Sequence, residues 1–319
     1  MSERLFCGID TSNYTTSVSI VTESGKLLLN RKKLLPVQEG ARGLRQSDAV
    51  FHHVKQLPQL AVDLREAMEA AAVGGEIAAI GVSAAPRDAD GSYMPCFLSG
   101  VSAAEIAGAL LRAPVHHFSH QAGHVMAALF SSGMTELMDK PFIAFHVSGG
   151  TTDILHVQPS GQTVFAVEKI GGTRDINAGQ LIDRSGVAMG LRFPAGAEME
   201  RLAAVYGGRI PSVRLSVSGL ECNLSGLENK ALQLYESTRD TAAVSAFVLC
   251  SVGRTLAALR DNVRSAFGEI PILYAGGVMS CRRIQEMLRD ENSAFSEPAL
   301  SSDNAVGAAL LARYRTLAG

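Results

Sequence analysis

Several features that would place this chain in other protein classes are missing. The five cysteines (Cys7, Cys96, Cys222, Cys250 and Cys281) are scattered and form no CxxC pair, which argues against a disulfide framework and favours a reducing compartment. The N-terminus has no apolar signal core, and no apolar run is long enough to span a bilayer. We therefore expect a soluble, cytoplasmic protein that does not associate with a membrane.

An excess of basic charge is also missing. The chain has 29 Lys and Arg against 31 Asp and Glu, a net charge of −2, which argues against a surface that coats nucleic acid generally. If RNA is a partner, a local patch or other subunits must bind it. Apolar residues are plentiful instead, at 47% of 319 residues, so the chain can bury a large core and is expected to divide into two domains.

An internal repeat predicts the architecture. Residues 6–25 and 142–161 are identical at seven positions with a constant offset of 136. Each copy reads as an apolar strand, a polar turn with paired threonines, a second strand and a Ser-Gly turn. This duplication predicts an α/β fold with two related domains facing one another across a cleft. Helical spacing of apolar residues predicts helices over 47–72, 101–111 and 242–267.

Glycine-rich turns are the predicted phosphate contacts. In the turn from Ser148 to Thr151, two glycines let the backbone approach a ligand and expose its N–H groups, while hydroxyls add donors. A second glycine pair, Gly276 and Gly277, follows a strand and is expected to open a helix that has Arg282 in an early turn.

Residues 116–129 hold half of the eight histidines of the chain. His120 and His124 stand four apart, so on a helix both rings leave the same face and can reach one cation. A lone histidine is more often a satisfied polar residue, and we interpret His116 and His117 as bystanders. His52 and His53, in the predicted helix 47–72, are interpreted as ordinary helix residues.

Asp10 ends the first strand of the first hairpin. Its carboxylate is placed to hold a metal-bound water or to orient a polar group, which makes Asp10 the catalytic candidate.

Together, the two hairpins, the histidine pair and the late Ala-Gly-Gly turn resemble the tRNA threonylcarbamoyladenosine synthase family, formerly labelled glycoprotease. The resemblance runs nearly end to end and implies the actin/sugar-kinase/Hsp70 ATPase fold, with two related domains on either side of a nucleotide-binding cleft. It implies a first domain of residues 1–115 plus 300–319 and a second domain of 116–299 that carries a helical insertion.

The resemblance also implies a ligand set. The third metal ligand of the family falls on Asp303, which with His120 and His124 makes a two-histidine, one-carboxylate set suited to one iron or zinc ion per chain. The expected ligand beside the metal is an adenine nucleotide or acyl adenylate. Its pocket falls on Val147, Ser148, Gly149, Gly150, Thr151, Asp183, Gly196, Gly276, Gly277 and Cys281.

The implied activity is transfer of a carbamoyl-type group, with (threonyl)carbamoyl adenylate as donor and N6 of a tRNA adenine as acceptor. The implied partners are tRNA and accessory synthase subunits, in a homo- or hetero-dimer. The family pattern is broken at several positions. An acidic pair in the first hairpin becomes Tyr14 and Thr15, a Glu becomes Gln180, a Gly becomes Ala195 and an Asn becomes Cys281. These losses indicate a diverged paralogue.

Other functions stay open at this point. The same chemistry could serve another acceptor, or the chain could be a catalytically weak, nucleotide-binding scaffold for a true synthase. A metalloprotease is disfavoured because Gln121 follows the first histidine, and a neutral amide cannot act as the general base. A sugar kinase rests on fold analogy alone. Cys281 stands near a predicted helix start, whose field lowers a thiol pKa, although a small residue filling a pocket is the simpler interpretation.

Overall fold

The computed structural model describes residues 3–12, 14–36, 44–70, 75–161, 163–297, 300 and 305–318. Contacts divide the chain into two compact units: Met1–Phe130, Gln158–Val167 and Ser302–Gly319 form the first, and Ser131–Val157 and Glu168–Ser301 form the second.

The first unit contains a five-stranded sheet with the order β3-β2-β1-β4-β5. Its strands are β1 (Leu5–Asp10), β2 (Thr15–Thr22), β3 (Leu27–Leu34), β4 (Ile77–Ala85) and β5 (Val115–Ser119). Its helices are α1 (Gln46–Ala70), α2 (Phe97–Leu111), α3 (His120–Ser132) and α9 (Val306–Ala318). The strands β1 and β2 are antiparallel, whereas β1–β4 and β4–β5 are parallel pairs.

Successive strand residues point to opposite faces of this sheet, and different elements cover the two faces. On one face, Ile9 and Ile80 pack with Leu60 of α1 in a buried apolar cluster. On the other face, Gly8 and Gly81 lie side by side on β1 and β4. A Cβ at either glycine would lie within 2.1 Å of a carbonyl oxygen at Ala305 or Ala308, so their lack of a side chain lets α9 lie directly on the strands.

The second unit contains a seven-stranded sheet with the order β12-β11-β6-β7-β8-β10-β9. Its strands are β6 (Phe142–Val147), β7 (Thr152–Ser160), β8 (Val164–Thr173), β9 (Ser216–Ser218), β10 (Glu221–Asn223), β11 (Ile272–Ala275) and β12 (Ser293–Phe295). Its helices are α4 (Ala178–Ala188), α5 (Gly196–Ala204), α6 (Ser225–Thr238), α7 (Thr241–Phe267) and α8 (Arg282–Leu288).

Helix α7 is the central core helix of the second unit, and Phe247, Leu256 and Leu259 are among its buried residues. By length and composition α7 could cross a membrane, so the expectation that no segment reaches that length is wrong. However, 72% of its most apolar window is buried inside the protein, as in the core helix of a globular protein. The apolar character of α7 is therefore accounted for by packing.

The predicted repeat is confirmed down to the strand register. In the first hairpin Phe6 pairs with Val21, and in the second Phe142 pairs with Val157. Both members of the pair have moved by the offset of 136, so the two β-hairpins are built on the same register. The three predicted helices are also present, although α2 begins at Phe97, four residues before the predicted start.

The division into units differs from the predicted domain boundary after residue 115. Strand β5 pairs with β4, and α3 follows β5 directly, so both elements belong to the first unit, which continues to Phe130. The sequence pattern gave no signal for this pairing because it joins segments that an entire helix separates.

Candidate functional site

Helix α3 of the first unit carries the predicted histidine pair. Ser119, the last residue of β5, caps the helix, since its Oγ accepts a hydrogen bond from the Ala122 N–H at 3.1 Å. His120 is the first helical residue and His124 lies one turn further on. Their Nε2 atoms are 2.9 Å apart, which confirms that both rings leave the same face.

Asp10 lies against this pair from the end of β1. It is fully buried, with one carboxylate oxygen accepting the hydroxyl of Ser12 at 2.6 Å and the other lying 3.2 Å from Nδ1 of His120. An ionised carboxylate only accepts hydrogen bonds, so it favours the tautomer in which Nδ1 of His120 carries the hydrogen. That tautomer leaves a lone pair on Nε2, the atom that faces His124.

This donor set fits a transition metal. Two imidazole nitrogens can share one ion at about 2.0–2.1 Å each, and a carboxylate behind one ring is the usual support of a metal-binding histidine. Among the described residues, no group of three or more His, Cys, Asp or Glu side chains converges to hold a metal. The predicted third ligand, Asp303, lies outside the described residues.

The predicted phosphate turn follows β6 in the second unit. Ser148 and Thr151 close it through a backbone hydrogen bond of 2.7 Å, and Gly149 and Gly150 are exposed with open space where a Cβ would stand. Helix α4 supports the turn from behind, since a Cβ on Gly179 would lie 2.6 Å from the backbone of Gly149. The turn therefore presents its backbone to solvent on a rigid base.

The second glycine pair meets this turn from β11. Gly276 has a φ of +101°, and a Cβ there would lie 2.3 Å from the carbonyl oxygen of Val147, so only glycine fits. In the described part of the chain, no atom lies within 4 Å of the position that a Cβ on Gly277 would take, apart from its chain neighbours and its own helical turn. The predicted order of strand, glycine pair and helix is confirmed, with Arg282 in the first turn of α8; a short 3-10 helix, Gly277–Ser280, separates the glycines from α8.

Two other predicted pocket residues belong to neighbouring helices: Asp183 lies within α4, and Gly196 is the first residue of α5. Asp183 accepts a hydrogen bond from the Ala195 N–H at 2.8 Å, directly before Gly196 begins α5. This contact gives Asp183 a structural task, which is to fix the connection between the two helices.

Two of the departures from the family pattern, Gln180 and Cys281, have structural explanations. Gln180 completes a capping box at the start of α4 by accepting the N–H of Asn177 at 2.9 Å, a contact that needs a side-chain oxygen but no charge. Burial raises the pKa of the Cys281 thiol to about 11. The alternative of a thiol with a lowered pKa is therefore disfavoured, and the simpler interpretation of a small buried residue is favoured.

Sequence reasoning missed Ser12, gave Asp175 no role beyond its match to the family pattern, and interpreted His53 as an ordinary helix residue. Ser12 donates to Asp10. Asp175 accepts backbone N–H groups from Ile176, Leu224 and Ser225; although partial burial works to raise its pKa, these bonds lower it to about 2. His53 is fully buried with Nδ1 2.8 Å from the Thr16 hydroxyl, and desolvation lowers its pKa to about 4. Ser12 had a local signal because it stands two residues after Asp10, whereas the burial of His53 had none.

The structure thus collects the predicted residues into separate groups. The first unit holds Asp10, His120 and His124 together. In the second unit the turn of Val147–Thr151 meets Gly276, while Asp183 and Gly196 lie at α4 and α5, and Cys281 precedes α8. An α/β protein with two sheets, a repeated hairpin and a carboxylate-supported histidine pair is the class that these observations define.

Comparisons with known proteins agree with this class. The sequence model of the family described as tRNA N6-adenosine threonylcarbamoyltransferase matches residues 36–310, so the chain belongs to that family. The proteins of that name from Methanopyrus kandleri and Neorickettsia sennetsu are each 28% identical to it. The first alignment covers 93% of this chain and 83% of the relative, and the second covers 100% and 96%.

Structural similarity extends beyond the family. The crystal structure of (R)-2-hydroxyglutaryl-CoA dehydratase component A from Acidaminococcus fermentans matches with a TM-score of 0.52 at 15% identity, covering 98% of this chain and 99% of that one. At this identity the match concerns the fold alone, which is the actin/sugar-kinase/Hsp70 fold.

Proposed function

We propose that this protein is a metal-dependent transferase that moves a threonylcarbamoyl or related carbamoyl group from an acyl adenylate to N6 of an adenine in tRNA. The observation that carries the proposal is the pair of Nε2 atoms of His120 and His124, 2.9 Å apart and supported by Asp10, in a member of the threonylcarbamoyltransferase family. In this reaction the adenine nitrogen bonds to the acyl carbon, the bond from that carbon to the phosphate oxygen breaks, and AMP leaves as the nitrogen loses a proton.

The first unit would supply the metal site. His120 and His124 would hold one iron or zinc ion through Nε2, and the ion would act as a Lewis acid towards a carbonyl oxygen. Asp10 would act as a positioning residue rather than the predicted catalytic one, because it is fully buried and contacts Nδ1 of His120. It fixes the ring orientation and keeps the hydrogen on Nδ1.

The proposal keeps Asp303 as the third ligand, and the packing of α9 supports it. A Cβ on Gly307 would lie 1.8 Å from the carbonyl oxygen of Gly123, so α9 touches α3 between His120 and His124. Asp303 precedes Gly307 by four residues, and four residues span at most about 14 Å. The chain is therefore long enough for Asp303 to approach the histidine pair.

The second unit would supply the adenylate contacts. The exposed backbone at Gly149 and Gly150 and the hydroxyls of Ser148 and Thr151 are suited to bind phosphate oxygens. The Gly150 N–H donates to the Ser148 Oγ at 3.3 Å, and a phosphate oxygen would replace that acceptor. The support of α4 would keep the backbone of the turn in place when the ligand arrives.

The proposal includes an accessory synthase subunit bound to the first unit, in a cytoplasmic assembly. An apolar groove of about 1100 Å³ between α1 and α2 supports this, because Val54, Ile106 and Leu110 line it and are 55%, 63% and 80% exposed. Apolar side chains grouped in this way mark protein interfaces. Replacing Ile106 and Leu110 by Asp should abolish subunit association measured by sedimentation, and unchanged association would contradict this part.

The test of the activity is transfer of labelled threonylcarbamoyl groups to tRNA and to small-molecule pools, with each partner combination. Wild type should label tRNA, whereas the double variant His120→Ala, His124→Ala and the variant Asp303→Ala should label nothing. Cys281→Asn should fold normally and change only the preference among adenylates. If the wild-type protein labels no acceptor, the enzyme proposal fails and a nucleotide-binding scaffold replaces it.

A further inference from the structure

A basic groove of about 470 Å³ lies on the second unit beside the edge strand β9. Four charged side chains line it: Arg174, Arg214, Lys230 and Glu221. Arg174 and Glu221 form an ion pair and so neutralise each other. The remaining two side chains determine the character of the groove.

Arg214 and Lys230 are both exposed, and within the described part of the chain no carboxylate lies within ion-pair distance of either one. The groove therefore keeps two uncompensated positive charges in a chain whose net charge is −2. Such a local excess attracts an anion that the protein as a whole would not attract.

Neutral donors line the same groove. Ser216 and Ser218 stand two residues apart on β9 and therefore on one face of the strand. The amide nitrogen of Asn223, on the neighbouring strand, donates to the hydroxyl oxygen of Ser216 at 3.3 Å, so the hydrogen of that hydroxyl is left to donate elsewhere. Hydroxyls of this kind complete the contacts that Arg and Lys make with phosphate oxygens.

We propose that this groove binds phosphodiester groups of an RNA backbone. The proposal rests on the proposed function, whose acceptor is tRNA, and it supplies the local basic patch that an otherwise weakly acidic chain would need. Long, exposed cations along an open strand edge suit a backbone that lies across the surface. A small phosphate ion would be expected instead in an enclosed site with buried donors.

The experiment measures equilibrium binding of an unmodified tRNA transcript to the full chain by fluorescence anisotropy, without an acyl donor, between about 50 and 200 mM salt. The test variant is Arg214→Ala, Lys230→Ala. The control is Lys140→Ala, Arg254→Ala, which removes the same two charges from exposed positions of the second unit outside the groove. A charge-preserving variant, Arg214→Lys with Lys230→Arg, is measured beside them.

The test variant should bind about tenfold more weakly, and the slope of log affinity against log salt should fall by about two, because each phosphate contact contributes about one. The control and the charge-preserving variant should bind like wild type. Equal losses in test and control variants would overturn the proposal, as would a wild-type protein that binds no RNA. Binding of inorganic pyrophosphate is titrated in parallel. A test variant that loses pyrophosphate binding but binds RNA like wild type would overturn the proposal too.

Transfer activity, measured separately, distinguishes this inference from the proposed function. If the test variant binds RNA weakly and wild type transfers nothing, the groove assignment stands and the proposed enzymatic function fails. If wild type transfers the group to tRNA and the test variant binds RNA like wild type, the proposed function stands and the groove assignment fails.

Discussion

The two hairpins share one register and have opposite environments at their turns. After β1, Thr11 and Ser12 are buried. The Thr11 hydroxyl donates to the carbonyl of Cys96 and accepts a hydrogen bond from the N–H of Gly100, each at 3.0 Å. After β6, Gly149 and Gly150 are exposed and touch nothing where a side chain would stand. The same local fold is closed by side chains in one copy and left as open backbone in the other.

This difference indicates how a duplicated element can acquire two tasks. In the closed copy the buried polar turn fixes Asp10, and Asp10 orients the ring of His120. In the open copy the exposed main chain is the proposed binding surface. We therefore expect substitutions in the first turn to affect metal binding and those in the second to affect nucleotide binding, with little crossover.

The largest effect should come from Asp10→Asn. The amide keeps the size of the side chain but loses the charge, so it no longer favours the hydrogen on Nδ1 of His120. Metal affinity should fall by about 10- to 100-fold, as measured by competition with a chelating dye. Nucleotide affinity should not change. An unaltered metal affinity would mean that Asp10 has no role in positioning His120.

Gly150→Val should give the reverse pattern. The new side chain would fill the open space in front of the turn and keep phosphate oxygens from its N–H groups. Calorimetric titration should show adenine-nucleotide affinity reduced about tenfold, a change of about 1.4 kcal/mol, with metal content unchanged. Gly161→Val, in another solvent-facing turn with open space, is the matched control and should bind nucleotide normally. Equal behaviour of the two variants would refute the assignment of the turn.

Alanine substitutions at two glycines should change the free energy of unfolding by different amounts: one glycine lies in a close backbone contact of the first unit, the other in the open turn of the second. Gly307→Ala would place a Cβ 1.8 Å from the carbonyl of Gly123, and overpacking of this kind costs about 1–3 kcal/mol of unfolding free energy. Gly149→Ala meets nothing and should change stability by less than about 0.5 kcal/mol. Urea unfolding measures both, and a neutral Gly307→Ala would contradict the tight packing of α9 on α3.

The smallest effect concerns pH. Burial lowers the pKa of His53 to about 4, so the folded state resists protonating it while the unfolded state protonates near 6.5. Above pH 6.5 this group costs nothing, and stability is lost as pH falls from about 6.5 towards 4. His53→Gln removes that loss. The stability difference between the variant and wild type should therefore shift in favour of the variant by about 1 kcal/mol between pH 8 and pH 6. Parallel stability profiles of the two proteins would show that His53 does not titrate in this way.

Local patterns in the sequence predicted much of this structure. The repeat predicted both hairpins, and the four-residue spacing predicted that His120 and His124 lie on one face of a helix. Contacts between distant segments were not predictable, because no local pattern encodes them. Asp10 and His120 are 110 residues apart, the burial of His53 depends on packing, and the place of β5 beside β4 follows from sheet order.

The central claim is that the closed copy of the hairpin supports a metal site on α3. Elemental analysis of protein purified without added metal tests it most directly, with His116→Ala, His117→Ala as the control for His120→Ala, His124→Ala. Wild type and control should each retain about one iron or zinc ion per chain, and the test variant should retain none. Equal metal content in the two double variants would contradict the account.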